Sequence, residues 1–301
     1  MSANLNQSLL ASFSDDLTGL IEVVGRSVLS VDARRKFPAS GFAFTEDLIV
    51  TADHIIEREE GIRVANGVDS FLAILIGRDP HHDLALLKIE GGSFSPLPVV
   101  KDRPKVGSLA IALARPGRNI QASFGMLSSI GEWPSRQKGV NIQAILRAEV
   151  TAHPGFSGGP LLDSRGDVIG MNTSAISMGG LATLSMSFMK PILEQLKTYG
   201  HLRHGYLGVR FQAVELGSEQ ISALGRDQKF GLLVSGVEAD SPAAKGKLLV
   251  GDILVGLAGE EVNGIESLQV LLESDLIGKK TMVELIRGNV RNLIEVEIGE
   301  R

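Results

Sequence analysis

The chain has 301 residues, 44% hydrophobic and 22% charged, the balance of a folded globular protein with room for two ordinary domains. Its formal charge of −5 disfavours phosphate backbones, so no nucleic-acid partner is expected. The absence of cysteine excludes disulfides, thiol catalysis and thiolate metal sites, and the six histidines hold no H-E-x-x-H pair, so no metal site is expected.

No run reaches the roughly 18 apolar residues of a spanning helix, so no transmembrane segment is expected. Residues 1–7 lack the basic start and apolar core of a signal peptide. The chain as written therefore reads as cytoplasmic. A trimmed or mature form with a periplasmic or other envelope location would look the same.

In chain order, Leu9, Leu10, Phe13, Leu17, Leu20 and Ile21 recur at near-helical spacing, which predicts an amphipathic helix within an N-terminal segment, residues 1–24. The pattern then becomes strand-like. Residues 27–31, 41–44, 47–51, 71–76, 84–89, 109–113 and 168–171 are short apolar runs separated by Gly, Pro, Asp and Asn. That predicts one large antiparallel β domain over 25–190. A helix starting at Pro191 and capped by Gly200 closes it, giving a first domain of 25–200. Residues 201–204 read as a short linker, and 201–301 as a second unit of strands with a helix near 265–274.

Chemistry concentrates in three segments. Gly155-Phe156-Ser157-Gly158-Gly159 surrounds a serine with glycines, which allow a tight turn and close approach of a carbonyl. The N–H groups of Gly155 and Ser157 are then candidate oxyanion donors. A glycine-rich turn between strands would look the same. Upstream, a strand runs through Thr51-Ala52-Asp53 into His54, and Asp83 opens the apolar run 84–89. A serine hydroxyl needs a base and an orienter for that base, and His, Asp and Ser occur here in an order known for such triads. Asp53 and Asp79 are rival carboxylates.

These segments resemble the HtrA (DegP-like) family of serine proteases. The likeness extends through Ser40-Gly41-Phe42, 106–112, 125–131, 155–162 and 166–173, and covers roughly residues 20–300. It implies a mainly β protein, a chymotrypsin-like double β-barrel followed by an α+β PDZ domain, that hydrolyses unfolded or damaged polypeptides for protein quality control without a cofactor. It also implies that Ser157 is the nucleophile, His54 the general base and Asp83 its orienter. Phe156 stands where the family usually has Asn, and 147–154 also departs from the family run, which puts the geometry of the oxyanion loop in question.

The resemblance places the specificity pocket at Thr151, Ala152, Asn172, Thr173, Ser174, Ala175 and Ile176. With no acid there, a small or medium aliphatic residue before the scissile bond is expected. Tyr206, Leu207, Gly208 and Val209 resemble the loop that grips a peptide C-terminus. The peptide would add as a strand beside 208–212, against a helix bearing Leu268, Leu271 and Leu272. Arg203 is either a carboxylate ligand or an exposed linker residue. Relatives with one PDZ domain imply a homotrimer, for which Phe13 and Leu17 are candidates, although a helix packed on its own barrel fits equally.

Two rival functions bear on the same motif. G-x-S-x-G also occurs in α/β-hydrolases, but there a helix follows the serine and the histidine comes after it. A catalytically quiet chaperone or peptide-binding scaffold of the same fold is the other.

Overall fold

The computed structural model describes residues 2–35, 37–131, 145–151, 153–176, 181–272 and 276–300. The chain divides into two compact units, the second beginning at Arg203. Among the described residues, no helix is long and apolar enough to cross a membrane.

Helix α1 (Ser2–Val24) opens the first unit. Leu17, Leu20 and Ile21 pack on the core, whereas Leu9, Leu10 and Phe13 stay largely exposed. The apolar stripe is therefore wider than the face the barrel covers.

Six strands follow: β1 (Val28–Asp32), β2 (Ala39–Ala43), β3 (Leu48–Thr51), β4 (Ile62–Ala65), β5 (Ser70–Asp79) and β6 (Leu84–Ile89). They close into a barrel in the order β1-β2-β3-β6-β5-β4. β1, β2 and β3 are almost wholly buried, which explains their continuous apolar reading.

A second barrel contains β7 (Leu109–Ala114), β8 (Gln121–Gly131), β9 (Ile145–Ala148), β10 (Pro160–Leu162), β11 (Val168–Thr173) and β12 (Ala182–Ser185). It closes as β10-β11-β12-β9-β8-β7. One apolar cluster runs through the first barrel and into the second, from Leu29 and Ile49 to Met171 and Leu184. The barrels thus share a core, and the segments facing each other between them are held rigidly.

Helix α2 (Met186–Tyr199) closes the first unit. It starts five residues before the position expected from Pro191. Ser185 caps it by accepting the Phe188 N–H at 3.4 Å, and Gly200 ends it in the left-handed region, φ +79°. Pro191 thus lies inside the helix rather than at its start, on an exposed position, while Met189, Leu193 and Leu196 face the core.

The second unit has β13 (Gly205–Tyr206), β14 (Val209–Glu215), α3 (Ser218–Leu224), β15 (Phe230–Val237), α4 (Pro242–Lys245), β16 (Ile253–Leu257), β17 (Glu260–Glu261), α5 (Ile265–Leu272), β18 (Lys280–Arg287), β19 (Val290–Glu297) and β20 (Gly299–Glu300). The main sheet runs β14-β15-β16-β18-β19, and β13 pairs with β20. The helix expected near 265–274 is described from Ile265 to Leu272. Residues 273 and 274 lie outside the described residues.

Candidate active site

The end of β3 delivers His54. After Thr51 the chain makes one turn of 3-10 helix, Asp53–Ile55, which buries Asp53 and Ile55 and leaves the imidazole one-third exposed. Asp83 precedes β6 with φ +55°, a left-handed conformation that carboxylate-bearing residues tolerate better than most. That backbone turns the side chain inward, where its surface is 6% exposed.

The Asp83 carboxylate collects three kinds of donor. The His54 backbone N–H donates to Oδ1 at 2.8 Å, His54 Nδ1 lies 2.9 Å from both oxygens, and the Thr173 hydroxyl donates to Oδ2. A carboxylate accepting at Nδ1 fixes the proton there and leaves Nε2 as the lone-pair nitrogen, the tautomer a general base requires.

The rival acids are engaged elsewhere. Asp53 takes a two-pronged bond from Arg78, at 2.6 Å and 3.2 Å, and Arg78 also reaches Glu59 at 2.9 Å. The Asp53 hydrogen bond raises the Arg78 pKa above its ordinary value. Asp79 accepts the backbone N–H groups of His81 and His82 and the His82 ring at 2.5 Å.

Ser157 lies in the loop before β10, buried to 8% exposure. Its Oγ is 3.1 Å from Ser174 Oγ and accepts the Ser174 N–H at 3.3 Å. Among the described residues no hydrogen bond joins Ser157 to His54, so the hydroxyl is turned toward Ser174.

The candidate oxyanion donors lie in and just after the preceding turn. Phe156 N–H closes His153-Pro154-Gly155-Phe156 onto His153 C=O at 3.2 Å, and Gly155 has φ +98°. Pro second and a positive-φ glycine third are the signature of a type II turn. A Cβ on Gly155 would meet Pro116 Cβ at 2.3 Å, so only glycine fits. Among the described residues, the N–H groups of Gly155 and Ser157 make no hydrogen bond and are free for a ligand.

Phe156, the departure noted from sequence, is 1% exposed. Its ring packs with Ala110, Ala112, Ala114, Leu127, Leu161 and Ile169 in the second barrel. The alanines of β7 leave the space it fills. The departure anchors the loop rather than loosening it.

Comparisons with known proteins follow this division of the chain. The trypsin-like peptidase domain matches residues 39–171 and the PDZ domain residues 205–298. A probable periplasmic serine endoprotease DegP-like from Ectopseudomonas mendocina is 30% identical, the match covering 97% of this chain and 72% of that protein. The chain belongs to the HtrA (DegP-like) family of serine proteases.

The DegP-like relative from Pseudomonas fluorescens is 34% identical, with 86% of this chain and 56% of that protein covered. The chain thus spans little more than half the length of such curated relatives. Among solved structures, an HtrA-type protease, AlgW, with a decapeptide aligns at TM-score 0.71 and 22% identity, covering 94% of this chain and 98% of that one. The serine endoprotease from Yersinia pestis aligns at 0.72 and 22%, covering 94% and 97%. The fold is therefore the chymotrypsin-like double barrel followed by a PDZ domain, as the sequence led one to expect.

Within this HtrA chain, the expected pocket residues separate. Asn172 is fully buried, its amide donating to Pro160 C=O at 3.1 Å and its carbonyl accepting the Thr183 hydroxyl at 2.8 Å, so it braces β10, β11 and β12. Thr173 is fully buried on Asp83. Ser174 and Thr151 are exposed, and Ile176 packs partly on the core. Ala152 lies outside the described residues. Ser40, whose hydroxyl touches the serine loop, had no signal in sequence beyond its place in Ser40-Gly41-Phe42.

In the PDZ unit, Leu207 and Gly208 are buried, and Gly208 has φ +74°. Their carbonyls accept the N–H groups of Ala243 and Glu238, both at 2.9 Å. Their own N–H groups make no hydrogen bond among the described residues. β14, which begins with Val209, is an edge strand of the sheet. Leu268 is buried in the core beneath α5, and Leu271 and Leu272 are half-buried on it. Tyr206 donates its hydroxyl to Glu238 at 2.5 Å. Arg203 forms a two-pronged ion pair with Glu300, both contacts 2.7 Å, a bridge absent from either sequence reading.

Proposed function

We propose that the chain is a serine endopeptidase in which Ser157 attacks the peptide carbonyl. His54 Nε2 takes the Ser157 proton, and Asp83 holds the imidazole and balances its charge. The oxyanion is received by Gly155 N–H and Ser157 N–H. On collapse, His54 returns the proton to the leaving amine, and water then hydrolyses the acyl-enzyme by the same route. The buried Asp83 carboxylate gathered on His54, opposite a serine loop with two unoccupied N–H donors, is the observation that carries this reading.

The pocket would take a small or medium aliphatic side chain, since Thr151, Ser174 and Ile176 offer no counter-ion. The substrates would be unfolded polypeptides, in keeping with quality control. Tyr206, Leu207, Gly208 and Val209 would receive a peptide C-terminus, with the chain adding to β14 beside Leu268 and Leu272. A homotrimer built through the first unit, and boundaries at 1–24, 25–200 and 201–301, belong to the same reading. The relatives are named periplasmic, which supports an envelope location; the cytoplasmic expectation has no such support.

The catalytically quiet scaffold draws on one observation, the Ser157 hydroxyl bonded to Ser174 instead of His54. That contact is a rotation about one side-chain bond, and catalytic hydrogen bonds commonly tighten only with substrate bound. The esterase reading fails on topology, because strand β10 rather than a helix follows the serine.

A fluorophosphonate probe and casein digestion test the proposal together. Labelling and digestion in the parent, both lost in Ser157→Ala, are expected. An unlabelled Ser157 overturns it, and cleavage mainly after Lys or Arg overturns the pocket assignment.

A further inference from the structure

Ser40 lies on β2 of the first barrel, yet its side chain serves the second. It is fully buried. Its hydroxyl accepts the Arg115 N–H at 2.8 Å and donates to Gly155 C=O at 2.6 Å. Because the Arg115 N–H occupies a lone pair, the hydroxyl proton is directed at Gly155. The Ser40 backbone N–H donates to Ser157 C=O at 3.1 Å, and its own C=O accepts the Thr51 hydroxyl at 2.7 Å.

The order of peptide groups along the loop gives these bonds a consequence. The Pro154–Gly155 peptide carries one oxyanion donor and the Phe156–Ser157 peptide carries the other. Between them lies the Gly155–Phe156 peptide, whose N–H is tied to His153 and whose C=O is tied to Ser40. The peptide after the second donor is tied at its C=O to the Ser40 N–H. Glycine at 155 has the widest backbone freedom of any residue, so the direction of its N–H depends on what fixes its neighbours. A Cβ on Gly158 would sit 1.9 Å from Ser40 C=O, which records how closely the serine loop approaches β2.

We propose that Ser40 is a positioning residue for the oxyanion site, its hydroxyl and N–H holding the Gly155–Ser157 segment so that both donor N–H groups converge. This rests on the assignment of Ser157 as nucleophile. Ser40 touches no substrate; it acts through Gly155 and Ser157. Its removal should weaken binding of the tetrahedral intermediate and leave ground-state binding intact.

The test compares the full chain with Ser40→Ala, Ser40→Cys and Thr51→Val. Cysteine fills the serine site with a slightly larger atom but forms poor hydrogen bonds, so a parent-like Ser40→Cys would separate packing from positioning. Three quantities are read: kcat and KM on a fluorogenic peptide, the affinity of a peptidyl boronic acid, and hydrogen exchange of the Phe156 amide by NMR. The Ser40 variants should lose about 10- to 100-fold in kcat and in boronate affinity, with KM within about twofold. Phe156 exchange should rise at least about tenfold.

Parent-like kcat and exchange in Ser40→Cys would assign Ser40 to packing and overturn the proposal. If the Ser40 variants do not fold, Thr51→Val decides. It should lose about three- to tenfold in kcat at unchanged KM, and parent-like values overturn the proposal. A parent whose cleavage and boronate binding survive Ser157→Ala overturns the nucleophile assignment instead. The amide exchange still reports on the Ser40 clamp in that case.

Discussion

The hydroxyl of Thr173 and the imidazole of His54 meet on one oxygen of Asp83, Oδ2, from opposite barrels. The Thr173 hydroxyl in turn accepts the Ala175 N–H at 3.1 Å. Thr173→Val preserves shape and removes this link. A buried carboxylate that loses a donor costs about 1–3 kcal/mol, so a lower melting temperature is expected. Phosphonylation of Ser157 by the fluorophosphonate should slow about tenfold, because the carboxylate held on His54 can then rotate. Stopped-flow labelling and thermal unfolding check both, and parent-like labelling refutes the role.

Asp83→Asn addresses the orienter itself. The amide can present its NH2 to Nδ1 and favour the wrong tautomer, a change that costs about 10⁴-fold in such triads. Asp53→Asn should instead release Arg78 and leave kcat within about threefold. Peptide kinetics on the two variants therefore discriminate the acids. A larger loss in Asp53→Asn would reverse the assignment.

The proposed triad was legible because His54 follows one apolar run, Asp83 opens another and Ser157 sits among glycines. Its bracing was not, since Ser40 reaches the serine loop, Thr173 reaches Asp83 and the Arg115 N–H reaches Ser40 across two barrels, and no local pattern encodes those approaches. Strand β8 was not among the expected strands; Phe124 and Met126 alternate along it with Ser123 and Gly125 but face outward, and only Leu127 is buried. The three residues of β10 are too few to show a period. Helix α2 was started late because the buried run Ala182–Met186 passes from strand into helix without a break, and only the Ser185 cap marks the change.

Phe156→Ala should be among the most destabilising single substitutions in the first unit. Emptying a ring's volume from a closed core costs about 3–5 kcal/mol. Because the ring is adjacent to Ser157, catalysis should fall together with stability. Phe156→Leu fills most of the cavity and should recover most of both. Denaturant melts alongside casein digestion check this, and an active, stable Phe156→Ala would mean that the ring does not anchor the loop.

Arg115 is a buried cation that bonds three carbonyls: Gly25 at the end of α1, Val28 and Arg118, each at 2.7 Å. Burial lowers its pKa from the ordinary value. Near the C-terminus of α1 the charge also opposes the helix dipole favourably. Arg115→Met strands these acceptors and should cost about 2–4 kcal/mol. Limited proteolysis should then cut within residues 8–27 well before the barrels. Unchanged protection of that segment would show that the apolar face of α1 alone holds it.

Ser174→Ala tests the resting position of Ser157, the proposed nucleophile. It removes one of two contacts that hold Ser157 Oγ away from His54, the Ser174 N–H remaining. Losing a neutral hydrogen bond of about 1 kcal/mol should raise the fraction of hydroxyl turned to His54 by up to about fivefold. Labelling by fluorophosphonate should accelerate to that extent in the absence of substrate. With a bound peptide the gain should shrink, because a substrate tightens the Ser157–His54 hydrogen bond in both proteins. A slower reaction in Ser174→Ala under both conditions would show that Ser174 assists the nucleophile instead of holding it back.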